Sequence, residues 1–358
     1  MSLFPITEFD RAVYQEKLRD FLPEEIIDIH THVWTGAPAK GHSGDSPART
    51  VSWPDLVARE NAIEDLMESY RLLLPGKKAS ALIFANHVNA ENFKERNAYT
   101  ARAADVSGYP ALYFSHPRQS GEEVERAVAE GGFFGLKSYL DLADERIAAE
   151  DICIFDFFPH QQLQSMDKLG AVVMLHIPRR LRLRDPVNLR QILEIKERYP
   201  RLRLILAHVG RAYCESDVGD ALDVLRAAPD LLFDFSANTN ARVFSQLLES
   251  VGPERVLFGS DLPITRMRMR RICVNASYCN LVPRGLYGDV SGDPHMAEAP
   301  EGEELTFFFY EELLAMKAAC EAAGFGPAEA ERLFYQNARK VLEGARADID
   351  QYLGRKKG

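Results

Sequence analysis

The residues best able to do chemistry in this chain are histidines and one aspartate. Six of the nine histidines, His30, His32, His87, His116, His176 and His208, fall at or just past the C-terminal end of a short apolar run. His30 and His32 form a His-X-His pair inside IIDIHTHV. In a strand, residues two apart share a face, so both imidazoles can reach one ion. His176 ends AVVMLH and Asp261 ends RVLFGSD. Three imidazoles and one carboxylate suit a zinc-like divalent ion with one position left for water. Each has a plainer reading when taken singly: a His-X-His pair is often core or surface, His176 a satisfied buried histidine, and Asp261 a helix cap before Pro263. Gathered at strand ends, the four together point to a metal site. His208, which ends LRLILAH, is a fifth candidate, either as a ligand or as a partner of the attacking water. Lys137, in GLKSY, could bridge two metals if carboxylated; pairing with a carboxylate is the favoured reading.

Something must bring these residues to one place. Eight apolar runs occupy 26–33, 80–85, 111–115, 133–140, 171–176, 202–208, 231–237 and 255–261. Continuous apolar runs suit parallel strands buried on both faces. Helical stretches lie between them. Ser120 with Glu123 reads as a capping box ahead of a helix, and Asp185 followed by Pro186 as an N-cap and first helical residue. Eight strand–helix repeats predict an α/β protein of the (β/α)8 TIM-barrel class rather than an open doubly wound sheet. No GxGxxG turn follows the first strand to support a dinucleotide fold. The expected organisation is one domain over residues 1–358 with its barrel core over about 26–344. Long βα loops follow strand 1 (35–54) and strand 8 (263–304), and extra helices fill 310–353. Such loops lie at the C-terminal face of a barrel, where active sites are built.

Three motifs, IDIHTHVW, LILAHVG and VLFGSDLP, resemble those of the amidohydrolase superfamily in its amidohydrolase-related (type 2) branch, and QNARKVL (336–342) resembles that branch's closing helix. The resemblance runs from about residue 26 to 344. It implies that His30, His32, His176 and Asp261 bind the metal and that His208 lies by the catalytic water. The two long loops depart from the shared pattern and are expected to decide the substrate.

The chemistry expected of such a site is hydrolysis of an ester, lactone or amide by a water made acidic by the ion. Asp261 would serve as ligand and general base, and His208 would orient the water or stabilise charge. One divalent ion is expected, zinc foremost, with manganese also fitting. Non-oxidative decarboxylation of a small acid uses the same ligands and is the alternative; a non-catalytic ligand-binding barrel would predict a damaged ligand set. Arginines cluster after the ligand-bearing strands: Arg179, Arg180, Arg182 and Arg184, then Arg211, then Arg266, Arg268, Arg270 and Arg271. Guanidinium forks suit carboxylates. Arg179, Arg211, Arg266 and Lys137 are therefore candidate contacts for a small anionic substrate. Solvation, acid pairing or a subunit contact is an equally weighted reading of these arginines.

Composition narrows the rest. The chain carries 43 Lys and Arg against 53 Asp and Glu, net −10, which disfavours nucleic acid as a partner. No apolar run approaches ~18 residues, so no membrane span is expected. The start, MSLFPITEFDRAVYQEKL, lacks a basic segment followed by an apolar one, and a cytoplasmic location is the expectation. The five cysteines form no CxxC spacing and are expected to be free thiols in a reducing compartment. Segments 1–22 and 310–353 offer surfaces for a homo-oligomer.

Overall fold

The computed structural model describes residues 2–36, 57–86 and 93–354. All eight predicted strands are present: β1 (Glu25–His32), β2 (Lys78–Phe84), β3 (Tyr113–Phe114), β4 (Gly135–Lys137), β5 (Val172–Leu175), β6 (Arg203–Leu206), β7 (Leu232–Asp234) and β8 (Val256–Leu257). Strands β3 to β8 form one parallel sheet in sequence order, and β1 pairs in parallel with β2. Backbone bonds join the two arcs. Ile29 N–H donates to Phe258 C=O (2.9 Å) and Asp261 N–H to His30 C=O (2.8 Å), while Ile83 N–H donates to Pro110 C=O (2.9 Å) and Leu112 N–H to Ile83 C=O (2.9 Å). The strands thereby close on themselves as an α/β barrel.

Alternation along each strand sorts side chains between two cores. Ile29, Leu82, Phe84, Met174, Ile205 and Leu257 fill the barrel interior. Neighbours such as Ile26, Ile83, Val173 and Leu204 face outward, against the surrounding helices. Ala338, Val341, Leu342 and Ala345, from the helix Asn337–Tyr352, pack onto the interior cluster. That spacing is one face of a helix. The predicted helix starts are both present: Ser120 Oγ accepts from Glu123 N–H ahead of Gly121–Glu130, and Asp185 caps Pro186–Arg198.

The N-terminal segment packs on its own chain rather than standing free. Tyr14 stacks on Tyr310 and Phe4 meets Phe307 edge-on. The Asp10 carboxylate takes a two-pronged ion pair from Arg268.

Two expectations need correction. The stretch after β8 is not plain loop. It folds into β9 (Arg270–Val274), β10 (Ser277–Val282) and β11 (Met296–Glu298), with β9 and β10 an antiparallel hairpin. Its two-residue turn, Asn275–Ala276, has both residues at positive φ (51° and 62°). That is the twist two-residue hairpin turns need, and Asn-Gly is its usual signature; alanine in the second place hides the signal. The cysteines are not all free: Cys214 and Cys273 are bonded, their Cα atoms 5.8 Å apart. They lie 59 residues apart, so spacing alone could not reveal the pair, and the bond is at odds with the expected reducing compartment. The loop expected over 35–54 falls largely outside the described residues, as does His87. Among the described residues, no helix is long and apolar enough to cross a membrane.

Candidate metal centre

Strand β1 sets the first two histidines by an irregularity. Three residue steps from Asp28 to Thr31 face two steps of β2, from Ala81 to Ile83. This is a β-bulge, and it turns His30 to the same interior side as Ile29. Asp28 braces the bulge: it accepts from His30 N–H (3.1 Å), Ser260 N–H (2.8 Å) and the Tyr70 hydroxyl (2.8 Å). Burial raises the Asp28 pKa to about 7 against those bonds.

The other members come from the ends of β6, β7 and β8. His208 and Asp261 both adopt left-handed backbone, φ 56° and 58°, a conformation that costs non-glycine residues free energy and recurs at functional sites. Bonds from neighbouring strands hold them there. The His208 N–H donates to Asp234 Oδ1 (2.9 Å), and the Asp261 N–H is held by His30 as above.

Asp234 organises the imidazoles. Its Oδ2 lies 2.8 Å from His30 Nδ1. A carboxylate only accepts, so the proton is on Nδ1 and the Nε2 lone pair points the other way, where Asp261 Oδ1 lies 3.5 Å off. Ser236 donates its hydroxyl to Asp234. His208 Nδ1 meets the Ser236 Oγ (2.9 Å) and carbonyl (3.2 Å), which leaves its Nε2 free of the proton as well. Burial would raise the Asp234 pKa, but His30 and then His208 and Ser236 outweigh it and hold the carboxyl well below its ordinary range.

His32 completes the group. Its Nδ1 faces the Tyr139 oxygen at 3.2 Å, and the Tyr139 hydroxyl itself donates to Ala85 C=O (2.7 Å). His32 Nδ1 must then be the donor, so its Nε2 is an acceptor. That atom stands 2.9 Å from Asp261 Oδ1. Burial lowers the His32 pKa and takes that of His208 down to about 4, so both rings are neutral near pH 7. Asp261 is pulled to about 2, its close contact with His32 and then His208 and His30 outweighing burial. Donor atoms of His30, His32 and Asp261 all lie within 4.8 Å of one another. Lone pairs and a carboxylate oxygen crowded together with no proton between them repel unless a cation joins them. This donor set therefore fits a divalent ion.

His176 stands outside that tight group. Its ring meets His208 edge-on at 5.2 Å, and its buried Nδ1 has no hydrogen-bond partner among the described residues. Burial, with Arg211 and His208 adding to it, drives its pKa well below the ordinary value, so it too presents a neutral imidazole. His116 lies elsewhere: its Nδ1 accepts from Arg118 N–H (3.1 Å) and its carbonyl from Gln162 (2.8 Å).

Lys137 is buried below the site, its Nζ 4.9 Å from the Tyr139 ring centre and 5.6 Å from that of Phe84. The carboxylate pairing expected for it is not found: no acid lies within ion-pair distance among the described residues. Burial brings its pKa down to about 8, with Asp234 and Asp261 opposing.

The arginines divide. Arg179 bonds the Glu150 carbonyl and lies near Asp151 and Asp185. Arg182 pairs with Asp217 (2.6 Å), Arg268 with Asp10, and Arg270 with Glu303. Arg266 lies over the Phe4 ring (5.6 Å). Arg211 binds the Ile177 and Pro178 carbonyls (3.2 and 3.1 Å), and Arg271 is buried among aromatic rings. Neither has a carboxylate partner among the described residues. Asp234, Ser236, Asp28 and Tyr139 were not singled out in the sequence. The signal for the first two was an acid inside an apolar run with a serine two places on, on the same face.

A barrel with this constellation can be compared with known proteins. The amidohydrolase family model Amidohydro_2 matches residues 27–344. The chain belongs to this amidohydrolase family. Family members are enzymes, among them hydrolases, hydratases and decarboxylases, and bind a divalent metal. No curated protein matches the sequence. Among solved structures, an amidohydrolase from Burkholderia multivorans with bound HEPES is 14% identical, TM-score 0.58, over 89% of this chain and 99% of that one; the same protein is also known with bound zinc. The 4-oxalomesaconate hydratase of Rhodopseudomonas palustris is 17% identical, TM-score 0.55, over 92% and 99%. A dihydroxybenzoic acid decarboxylase from Polaromonas sp. JS666, with manganese and 2-nitroresorcinol, is 16% identical, TM-score 0.52, over 91% and 99%. At such identities these likenesses speak for the fold alone.

Proposed function

We propose that this amidohydrolase is a metal-dependent hydrolase acting on an ester, lactone or amide of a small carboxylated molecule. The observation that carries the reading is the cluster of acceptors without a donor at His30, His32 and Asp261. His30 and His32 would hold the ion through Nε2 and Asp261 through Oδ1, with His176 as a further imidazole ligand. Zinc is the proposed ion and manganese the substitute. When bound, the ion supplies Lewis acidity and lowers the pKa of water toward ~7.

The chain's own groups supply the rest. Asp261, ionised near neutral pH, accepts the proton of the attacking water. His208, with its proton fixed on Nδ1 by Ser236, offers Nε2 to orient that water by accepting a hydrogen bond. Asp234 keeps His30 and His208 in register through the reaction. Lys137, over the rings of Phe84 and Tyr139, places positive charge beside the acids and favours an anionic substrate group.

Elemental analysis of wild-type protein beside H30A/H32A tests the centre. About one metal per chain, lost in the double variant, is the expected result; no metal after reconstitution with zinc or manganese would sink it. A second reading, decarboxylation of a small acid, rests on the same ligands and on the buried Lys137 as a carboxylate contact. Carbon dioxide release from candidate acids, set against acid release from lactones, esters and amides, separates the two.

A further inference from the structure

The hairpin after β8 builds something that the metal centre does not use. Arg271, on β9, has only 8% of its surface exposed. Its Nε donates to Asn280 Oδ1 (2.8 Å), the residue opposite it on β10, and its Nη1 donates to the Ala237 carbonyl. The guanidinium carbon lies 4.2, 4.8 and 4.9 Å from the ring centres of Tyr213, Tyr278 and Phe308. A second cation, Arg182, faces the same two tyrosines at 5.3 and 4.9 Å. Arg182 has a counterion in Asp217; Arg271 has none among the described residues.

A buried cation without an anion is costly, and two guanidinium groups on one pair of rings repel each other. Asn280 Oδ1 and the Ala237 carbonyl accept from Arg271, but neither carries a negative charge. Asn280 Nδ2 is buried with no partner among the described residues. The Tyr213 and Tyr278 hydroxyls make no hydrogen bond among the described residues, and neither does Arg271 Nη2. Tyr278 is fixed flat against His295, 4.2 Å between ring centres at 7°, and the Cys214–Cys273 bond ties the residue after Tyr213 to the strand that carries Arg271.

This box adjoins the metal centre. Ala237, whose carbonyl Arg271 holds, follows Ser236, the residue that fixes the His208 ring. Arg271 lies close enough to Asp261 for their charges to act on one another, and Arg211 close enough to His176 to help keep that ring neutral.

We propose that Arg271, with Tyr213, Tyr278 and Arg182, is a carboxylate subsite that binds a second acid group of the substrate, apart from the group that reacts. The substrate class is then a dicarboxylate or a dicarboxylate-derived lactone, ester or amide. The subsite rests on the hydrolase reading for its purpose, but not for its ability to bind an anion.

Titration calorimetry of the metal-loaded protein with straight-chain dicarboxylates from malonate to pimelate, beside monocarboxylates of equal length, tests it. At least one dicarboxylate is expected to bind tenfold or more tighter than its monocarboxylate. Arg271→Met should abolish that preference, and the double variant Y213F/Y278F, which keeps the rings and the buried charge, should reduce it at least threefold. Equal binding of the two series by wild-type protein would overturn the subsite, as would a folded Arg271→Met that keeps the dicarboxylate preference. The H30A/H32A protein distinguishes the two claims. Monocarboxylate binding that survives there but is lost on adding Arg271→Met supports the subsite even if the metal reading fails. Metal bound normally without any dicarboxylate preference would leave the metal centre and remove the subsite.

Discussion

His32 Nε2 and Asp261 Oδ1 stand 2.9 Å apart although 229 residues separate them in the chain. Both atoms are hydrogen-bond acceptors once Tyr139 has fixed the His32 proton on Nδ1, so the contact makes sense as two ligands awaiting one cation.

Asp261→Asn separates ligand from scaffold. Asparagine keeps the shape and the oxygen but removes the charge and the basic site. Zinc affinity, measured by competition with a chelator, should fall, and turnover should drop by roughly 10²–10⁴-fold, the range for loss of a general base. The fold should survive, because no buried charge is created. Wild-type turnover in this variant would rule out Asp261 as base.

The Asp234→Asn change acts one step back. Asp234 does not face Asp261; it binds His30 on the opposite ring nitrogen and His208 through its backbone, so it is a positioning residue. Losing one of its two acceptor oxygens frees either His30 or the His208–Ser236 pair. Changes of this kind cost about 10–100-fold in metal affinity or activity. Ser236→Ala, which leaves the Asp234–His30 bond intact, should cost less. If Asp234→Asn bound zinc as wild type does, His30 would need no such support.

Much of this was legible in the chain because it depended on strand position. His30, His32, His176, His208 and Asp261 each end an apolar run, and a barrel brings strand ends to one face. The interior side of β1 was not legible. Simple alternation from Ile27 and Ile29 would turn His30 and His32 outward, and only the bulge between Asp28 and Thr31 turns them in. Nor could local clustering tell one arginine from another. Arg268 meets Asp10, 258 residues away, and Arg182 meets Asp217, whereas Arg271 meets no acid among the described residues. Such pairings are set by the tertiary fold, and so is the Cys214–Cys273 bond.

Glu312 supplies a prediction in pH. It sits on the helix Phe308–Ala322, fully buried, with neither carboxylate oxygen hydrogen-bonded at normal geometry among the described residues. Burial, then the nearby Asp28, raises its pKa well above 4.5, with the Ala237 backbone N–H only partly opposing. The folded protein therefore keeps this carboxyl protonated at pH values where the unfolded chain, with an ordinary pKa of ~4.3, has released the proton. Below ~4.3 both states hold the proton and the group costs nothing. As pH rises, the unfolded state gains about 1.4 kcal/mol per unit relative to the folded one until the folded pKa is reached. Glu312→Gln keeps the shape without the proton, so it should stabilise metal-free protein against urea at pH 7.5, and that gain should shrink toward zero by pH 4.5. A gain independent of pH would mean that the variant acts through packing. A loss of stability at pH 7.5 would mean that the carboxylate is ionised and matched by a cation.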